Sequence, residues 1–137
     1  MNKEQPQLLN LTRIYDPRGN LSVVEEFRDI PFEIKRVFWI YDVPGGENRG
    51  GHAHKKLYQF IVASSGSFNV KITDGEKNLS FFLNHPFMGV LVPPGFWSSQ
   101  EDFSSGAVCL VMASDYFDES DYIRNFEEYL KWKEASK

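Results

Sequence analysis

Apolar residues fall in short runs along this chain, and turn-forming residues punctuate them. Leu21–Glu26, Arg36–Val43, Leu57–Ala63, Ser67–Thr73, Leu79–Leu83, Gly89–Val92 and Ala107–Ala113 each read as a strand. Between them stand Arg18-Gly19-Asn20, Pro44-Gly45-Gly46, Ser64-Ser65-Gly66, Asp74-Gly75, His85-Pro86 and Pro93-Pro94-Gly95. Asp74-Gly75 lies between two runs and predicts a hairpin, because such pairs accept the positive φ that a tight turn requires. Many short strands with turns between them predict an all-β sandwich or barrel. The period changes near the C-terminus. From Asp118 onward, Tyr122, Phe126, Tyr129 and Lys133 recur at helical spacing, which predicts one α-helix capped by Asp118 or Ser120 and clasped over the barrel.

The chain has 137 residues, with twelve Phe, six Tyr and three Trp. That suits one domain, residues 1–137, with a real core and no internal linker or repeat. A net charge of −4 offers no basic excess for a nucleic-acid backbone, although single arginines can still hold a small phosphate. No apolar stretch approaches the ~20 residues of a membrane helix, and the N-terminus lacks an apolar signal core. The single cysteine, Cys109, sits in an apolar run and reads as a buried small hydrophobe. These features predict a cytoplasmic protein with neither nucleic acid nor membrane as partner.

The chemistry concentrates in Gly46–Gly66. Two of the three histidines, His52 and His54, stand two apart, so on a strand they project from one face. No acid stands in register with His52, Asp102 being the candidate that could approach in space. The segment resembles the first motif of the cupins: Gly46, His52, His54 and Gly66 match in register, with Gln59 where that motif has a carboxylate. Pro93-Pro94-Gly95-Phe96-Trp97 resembles the second motif, with Ser98 where a histidine ligand would stand. Two of four metal ligands are thereby replaced by an amide and a hydroxyl, which are poor donors for a divalent transition metal. The expectation is a pocket without metal or other cofactor, in which imidazoles do acid–base work.

A closer resemblance spans roughly residues 8–130. Ile30-Pro-Phe-Glu-Ile-Lys-Arg-Val-Phe-Trp-Ile-Tyr, Arg49-Gly-Gly-His-Ala-His-Lys-Lys-Leu, Asp102-Phe-Ser-Ser and Met112-Ala-Ser-Asp-Tyr-Phe-Asp-Glu-Ser-Asp-Tyr-Ile-Arg-Asn-Phe are similar to the WxcM-like group of nucleotide-sugar 3,4-ketoisomerases. The resemblance implies a cupin double-stranded β-helix, or jelly-roll barrel, with a C-terminal helix. It also implies a homodimer that converts dTDP-4-keto-6-deoxy-glucose into a 3-keto-6-deoxy sugar without metal, on the route to 3-amino sugars of surface polysaccharides. On that reading His52 is the base and His54 its orienting or relaying partner. Arg49 and Arg36 are expected to meet the diphosphate or a sugar oxygen, since an arginine in the apolar run Arg36–Val43 needs a compensating anion. Tyr41 and Trp97 can stack on sugar or thymine. Arg18, in a turn that borders the family's active site, Lys56 and Ser98 complete the expected substrate contacts. A metal-binding cupin enzyme and a non-catalytic nucleotide-sugar-binding cupin are the alternatives.

Overall fold

The computed structural model describes residues 4–137. Its strands are β1 (Gln7–Asn10), β2 (Arg13–Ile14), β3 (Leu21–Ser22), β4 (Arg36–Ile40), β5 (Arg49–His54), β6 (Gln59–Ser65), β7 (Phe68–Thr73), β8 (Asn78–Leu83), β9 (Met88–Val92), β10 (Trp97–Glu101), β11 (Val108–Ala113) and β12 (Tyr122–Ile123). One helix, α1 (Phe126–Ala135), follows. The strands form two five-stranded sheets, ordered β1-β9-β6-β11-β4 and β12-β5-β10-β7-β8, with β2 and β3 as a separate pair. Every strand pairing is antiparallel. From β4 to β12, chain neighbours alternate between the two sheets except at the β7–β8 pair, which is the jelly-roll winding expected of this sequence.

Side-chain alternation explains why the strands were readable. On β6, Ile61 and Ala63 enter the core between the sheets, where they meet Phe68, Val70, Val90 and Val111. Phe60 and Val62 point the other way, onto a second apolar layer of Leu11, Ile30 and Phe32. Both faces of β6 are therefore covered, and its sequence is a continuous apolar run. β7 and β8 form the expected hairpin through a four-residue connection. There Asp74 accepts from the backbone N–H groups of Glu76 and Lys77 at 2.9 and 2.7 Å. Gly66, between β6 and β7, has φ +67, and a Cβ there would stand 2.7 Å from the Ala107 backbone. The glycine that closes the first motif is thus required by both backbone hand and space.

The C-terminal expectation is corrected. Asp118 caps only a single 3-10 turn, Glu119–Asp121, by accepting from the Ser120 N–H at 3.0 Å. The chain then extends as β12 along β5, and α1 begins at Phe126 with Asn125 as its cap. Strand pairing wins here because Ile123 buries against Ala53 and Tyr129, in a cluster that includes Trp97 and Trp132. The helix does clasp the barrel. Tyr129 is wholly buried, and its hydroxyl donates to the Gly95 carbonyl at 2.8 Å. β10 escaped the hydrophobic pattern, because the residues it turns inward are Ser98 and Gln100, both buried and polar.

Candidate active site

β5 delivers the histidines through a bulge. Ser98 faces His52 but Ser99 faces Gly50, so Gly51 is the extra residue. Gly50 and Gly51 both have positive φ, and a Cβ on Gly50 would meet the Ser99 backbone at 3.1 Å. Past the bulge, His52 and His54 turn inward while Ala53 packs outward under α1. β12 lies alongside with Tyr122 opposite His54. The three rings form one cluster: His52 to His54 is 5.0 Å between centroids, His54 to Tyr122 is 4.2 Å and His52 to Tyr122 is 5.0 Å.

The surroundings of His54 settle its tautomer. Nδ1 lies 3.1 Å from Asp121 Oδ2, and Nε2 lies 3.4 Å from the Gln59 amide nitrogen. A carboxylate only accepts and an amide NH2 only donates, so Nδ1 carries the proton and Nε2 accepts. Gln59, at the position of the missing cupin carboxylate, thereby holds a neutral His54. Both ring nitrogens of His54 are engaged. Among the described residues, no three His, Cys, Asp or Glu are grouped to hold a metal ion.

A cavity of about 390 Å³ opens beside this cluster, lined by His52, Gln59 and Gln100 at its polar end and by Phe38, Ile40 and Val111 opposite. Tyr122, Arg124, Arg49, Trp39 and Tyr41 reach its mouth and flanks. Burial, then electrostatic coupling to the titration of His54 and the charge of Arg124, push the His52 pKa down to about 4 from 6.5. Burial also lowers His54, against the upward pull of Asp121. His52 is therefore a free base at neutral pH. The acid limb of kcat/KM, which reports the free enzyme, is expected near pH 4. A limb at the ordinary histidine value would show that a solvated imidazole is the working base. Cys109, pushed up to about 12 by burial, takes no part as a nucleophile.

Of the residues expected from sequence, His52, Arg49 and Tyr41 line the cavity, and His54 and Arg36 stand behind its wall. Arg36 donates to the Tyr122 hydroxyl at 3.4 Å, and its guanidinium lies over Phe38 and Phe117. Its buried Nε has no partner among the described residues. Ser98 shares the face of His52 but not the cavity lining. Trp97 lies outside the cavity lining. It points out of the barrel and packs on Phe126 and Tyr129 at 5.2 and 5.8 Å. Lys56 is exposed and offers the site only its backbone N–H, which donates to Asp121 at 2.8 Å. Arg18 is 90% exposed and paired with Asp16, outside the lining. Asp102 accepts from Asn69 instead of approaching His52. The carboxylate of the site is Asp121. Sequence reasoning missed it together with Tyr122, Arg124 and Gln100. Arg124 pairs with Glu119 through Nε and Nη2, at 2.7 and 2.9 Å, and lies 4.2 Å over the Tyr122 ring. The available signal was Tyr122 and Arg124 at strand spacing.

Comparison with known proteins shows the family and the shared fold. The family model described as WxcM-like, C-terminal (FdtA) matches residues 4–134. The TDP-4-oxo-6-deoxy-alpha-D-glucose-3,4-oxoisomerase of Aneurinibacillus thermoaerophilus is 45% identical over 126 residues, 92% of this chain and 91% of that protein. A 3,4-ketoisomerase from Helicobacter canadensis superposes with a TM-score of 0.93 at 38% identity, over 96% of this chain and 99% of that one. A histidine-to-asparagine mutant of the 3,4-ketoisomerase QdtA from Thermoanaerobacterium thermosaccharolyticum has been solved with TDP-4-keto-6-deoxyglucose. It matches at 37% identity and a TM-score of 0.92, over 95% of this chain and 94% of that one.

Proposed function

The chain belongs to the WxcM-like, C-terminal (FdtA) family, and from that premise we propose that it is a dTDP-sugar 3,4-ketoisomerase acting on dTDP-4-keto-6-deoxy-glucose. The observation that carries the residue roles is an uncharged imidazole, His52, on the wall of a cavity that also receives two phenols and two arginines. The C3 hydrogen of the substrate is acidified by the neighbouring C4 ketone. His52 removes it, the C3–H electron pair becomes the C3=C4 bond, and O4 takes a proton to give an enediol. O3 then gives up its proton, the C3 carbonyl forms, and the double-bond pair takes a proton at C4. The reaction is a net isomerisation and needs no oxidant.

Tyr122 suits the O4 role. Its oxygen accepts from Arg36, which leaves its own O–H free to donate into the cavity. His54, fixed between Asp121 and Gln59, positions the edge of His52. Arg49 and Arg124 are the cations placed to meet the diphosphate. The donor set of two histidines, an amide and a hydroxyl supports chemistry without a metal. The test is NMR of the reaction in deuterium oxide containing a chelator. A 3-keto product labelled at C4 is expected. No conversion would remove the activity, and conversion lost to the chelator but restored by a divalent metal would replace the metal-free reading.

A ketone at C3 is the electrophile that amine transfer requires. This fits the making of 3-amino deoxysugars, and we place that role in surface-polysaccharide synthesis in the cytoplasm. No helix among the described residues is long and apolar enough to cross a membrane. The expected partner is a second copy of the chain. Val37, Trp39 and Tyr41 are 48, 58 and 59% exposed along the edge strand β4 and its end, an apolar stripe that a monomer would leave wet. Light scattering at micromolar concentration should give twice the chain mass; a monomer would contradict this.

A further inference from the structure

We infer that the side-chain amide of Gln100 binds the C2 hydroxyl of the sugar, so that the site selects hexoses with a free hydroxyl at C2. This rests on the ketoisomerase reading above and goes beyond it, because that reading gives Gln100 no task.

The starting point is a buried polar group with no protein partner. Gln100 is only 5% exposed, and it lines the cavity. Its side-chain amide makes no hydrogen bond to a side chain or to the backbone among the described residues, and its neighbours are taken. Gln59, the other buried amide of the lining, is held against His54 Nε2 at 3.4 Å, and Ser99 Oγ donates to Glu101 at 3.1 Å. Leaving an amide unpaired inside a protein is costly, so its position calls for a partner that arrives with the ligand. An amide donates from nitrogen and accepts at oxygen, and a hydroxyl does both through one atom. The two match without any charge.

Register decides which hydroxyl. On β10, Ser98 stands opposite His52 and Gln100 opposite Arg49. The Gln100 side chain leans back over the bulge between them: a Cβ on Gly50 would stand 3.0 Å from Gln100 Oε1. The amide therefore lies between the base and a cation of the diphosphate. In the sugar, C3 is the carbon that meets His52, and C1 carries the diphosphate. C2 is the atom between them, and its hydroxyl is the substituent that falls to Gln100.

The experiment compares kcat/KM for dTDP-4-keto-6-deoxy-glucose and for its 2-deoxy counterpart, with the wild-type protein and with Gln100→Met. The wild type should favour the hydroxylated sugar by about 10–30-fold, the effect of one buried polar group left unpaired. Gln100→Met should lose a similar factor on the hydroxylated sugar and treat the two sugars alike within about threefold. Its affinity for dTDP, measured by calorimetry, should stay near that of the wild type, which shows that the variant is folded. A wild type that turns over both sugars equally well would overturn the inference without any variant. A Gln100→Met protein that discriminates as strongly as the wild type would overturn it too, and both results leave the ketoisomerase reading standing. Absence of a 3-keto product from either sugar with the wild type would overturn that reading, and this inference with it.

Discussion

Replacing His52 with Asn is expected to lower kcat by about 10²–10⁴-fold, the usual contribution of a positioned general base, while substrate affinity stays near that of the native protein. Asparagine approximates the width of the imidazole ring, so the cavity wall is kept. Its amide cannot take a proton from carbon. His54 cannot take over, although its ring is 5.0 Å away, because Asp121 holds one of its nitrogens and Gln59 the other. Turnover followed by NMR and binding followed by calorimetry separate the two effects. A variant that keeps turnover within tenfold would mean that His52 packs the site and does not work in it.

The second large effect is expected at Asp121. Its Oδ2 receives the His54 Nδ1–H, and its Oδ1 accepts the Lys56 backbone N–H at 2.8 Å. An asparagine has one accepting atom for two donors, so one contact becomes donor against donor. If the amide NH2 faces His54, the ring must change tautomer and then presents an N–H to the Gln59 amide. Asp121→Asn should therefore lower kcat by about 10²-fold, by analogy with triads whose orienting carboxylate is lost, where the loss can be larger. KM should change little, because Asp121 is behind the wall. A fall in stability of about 1–3 kcal/mol should accompany it, the cost of a buried group left unpaired. Kinetics and a denaturant titration of the same variant check both. An unchanged kcat would assign Asp121 to holding the end of β5 alone.

The two positions illustrate what was legible in the sequence. The His52–His54 pair was legible because a period of two on a strand is a local property, and the glycines that steer it lie within a few residues. Most core strands were legible because their apolar runs are buried on one or both faces. Asp121 was not, since its link to His54 spans 67 residues and depends on β12 joining the sheet. Tyr122 misled directly: with Phe126 and Tyr129 it satisfies helical spacing, but pairing with β5 decides its conformation. Trp97 misled for a related reason. It follows the Pro-x-Gly turn as an active-site residue would, yet alternation on β10 sends Ser98 inward and Trp97 out beneath the helix. β10 itself escaped notice because the inner end of this barrel is polar. Hydrophobic patterning fails where a fold turns chemistry-bearing residues toward its interior.

The central claim is that a proton passes between neighbouring sugar carbons by way of an uncharged, enclosed imidazole. It is tested most directly by a crystal structure of the His52→Asn variant with dTDP-4-keto-6-deoxy-glucose bound. The account predicts the sugar in the cavity beside Tyr122, with C3 about 3–3.5 Å from the substituted side chain, the reach of a productive contact, and the diphosphate toward Arg49 and Arg124. A sugar bound outside that cavity, or one that turns C3 toward Val111, would contradict it.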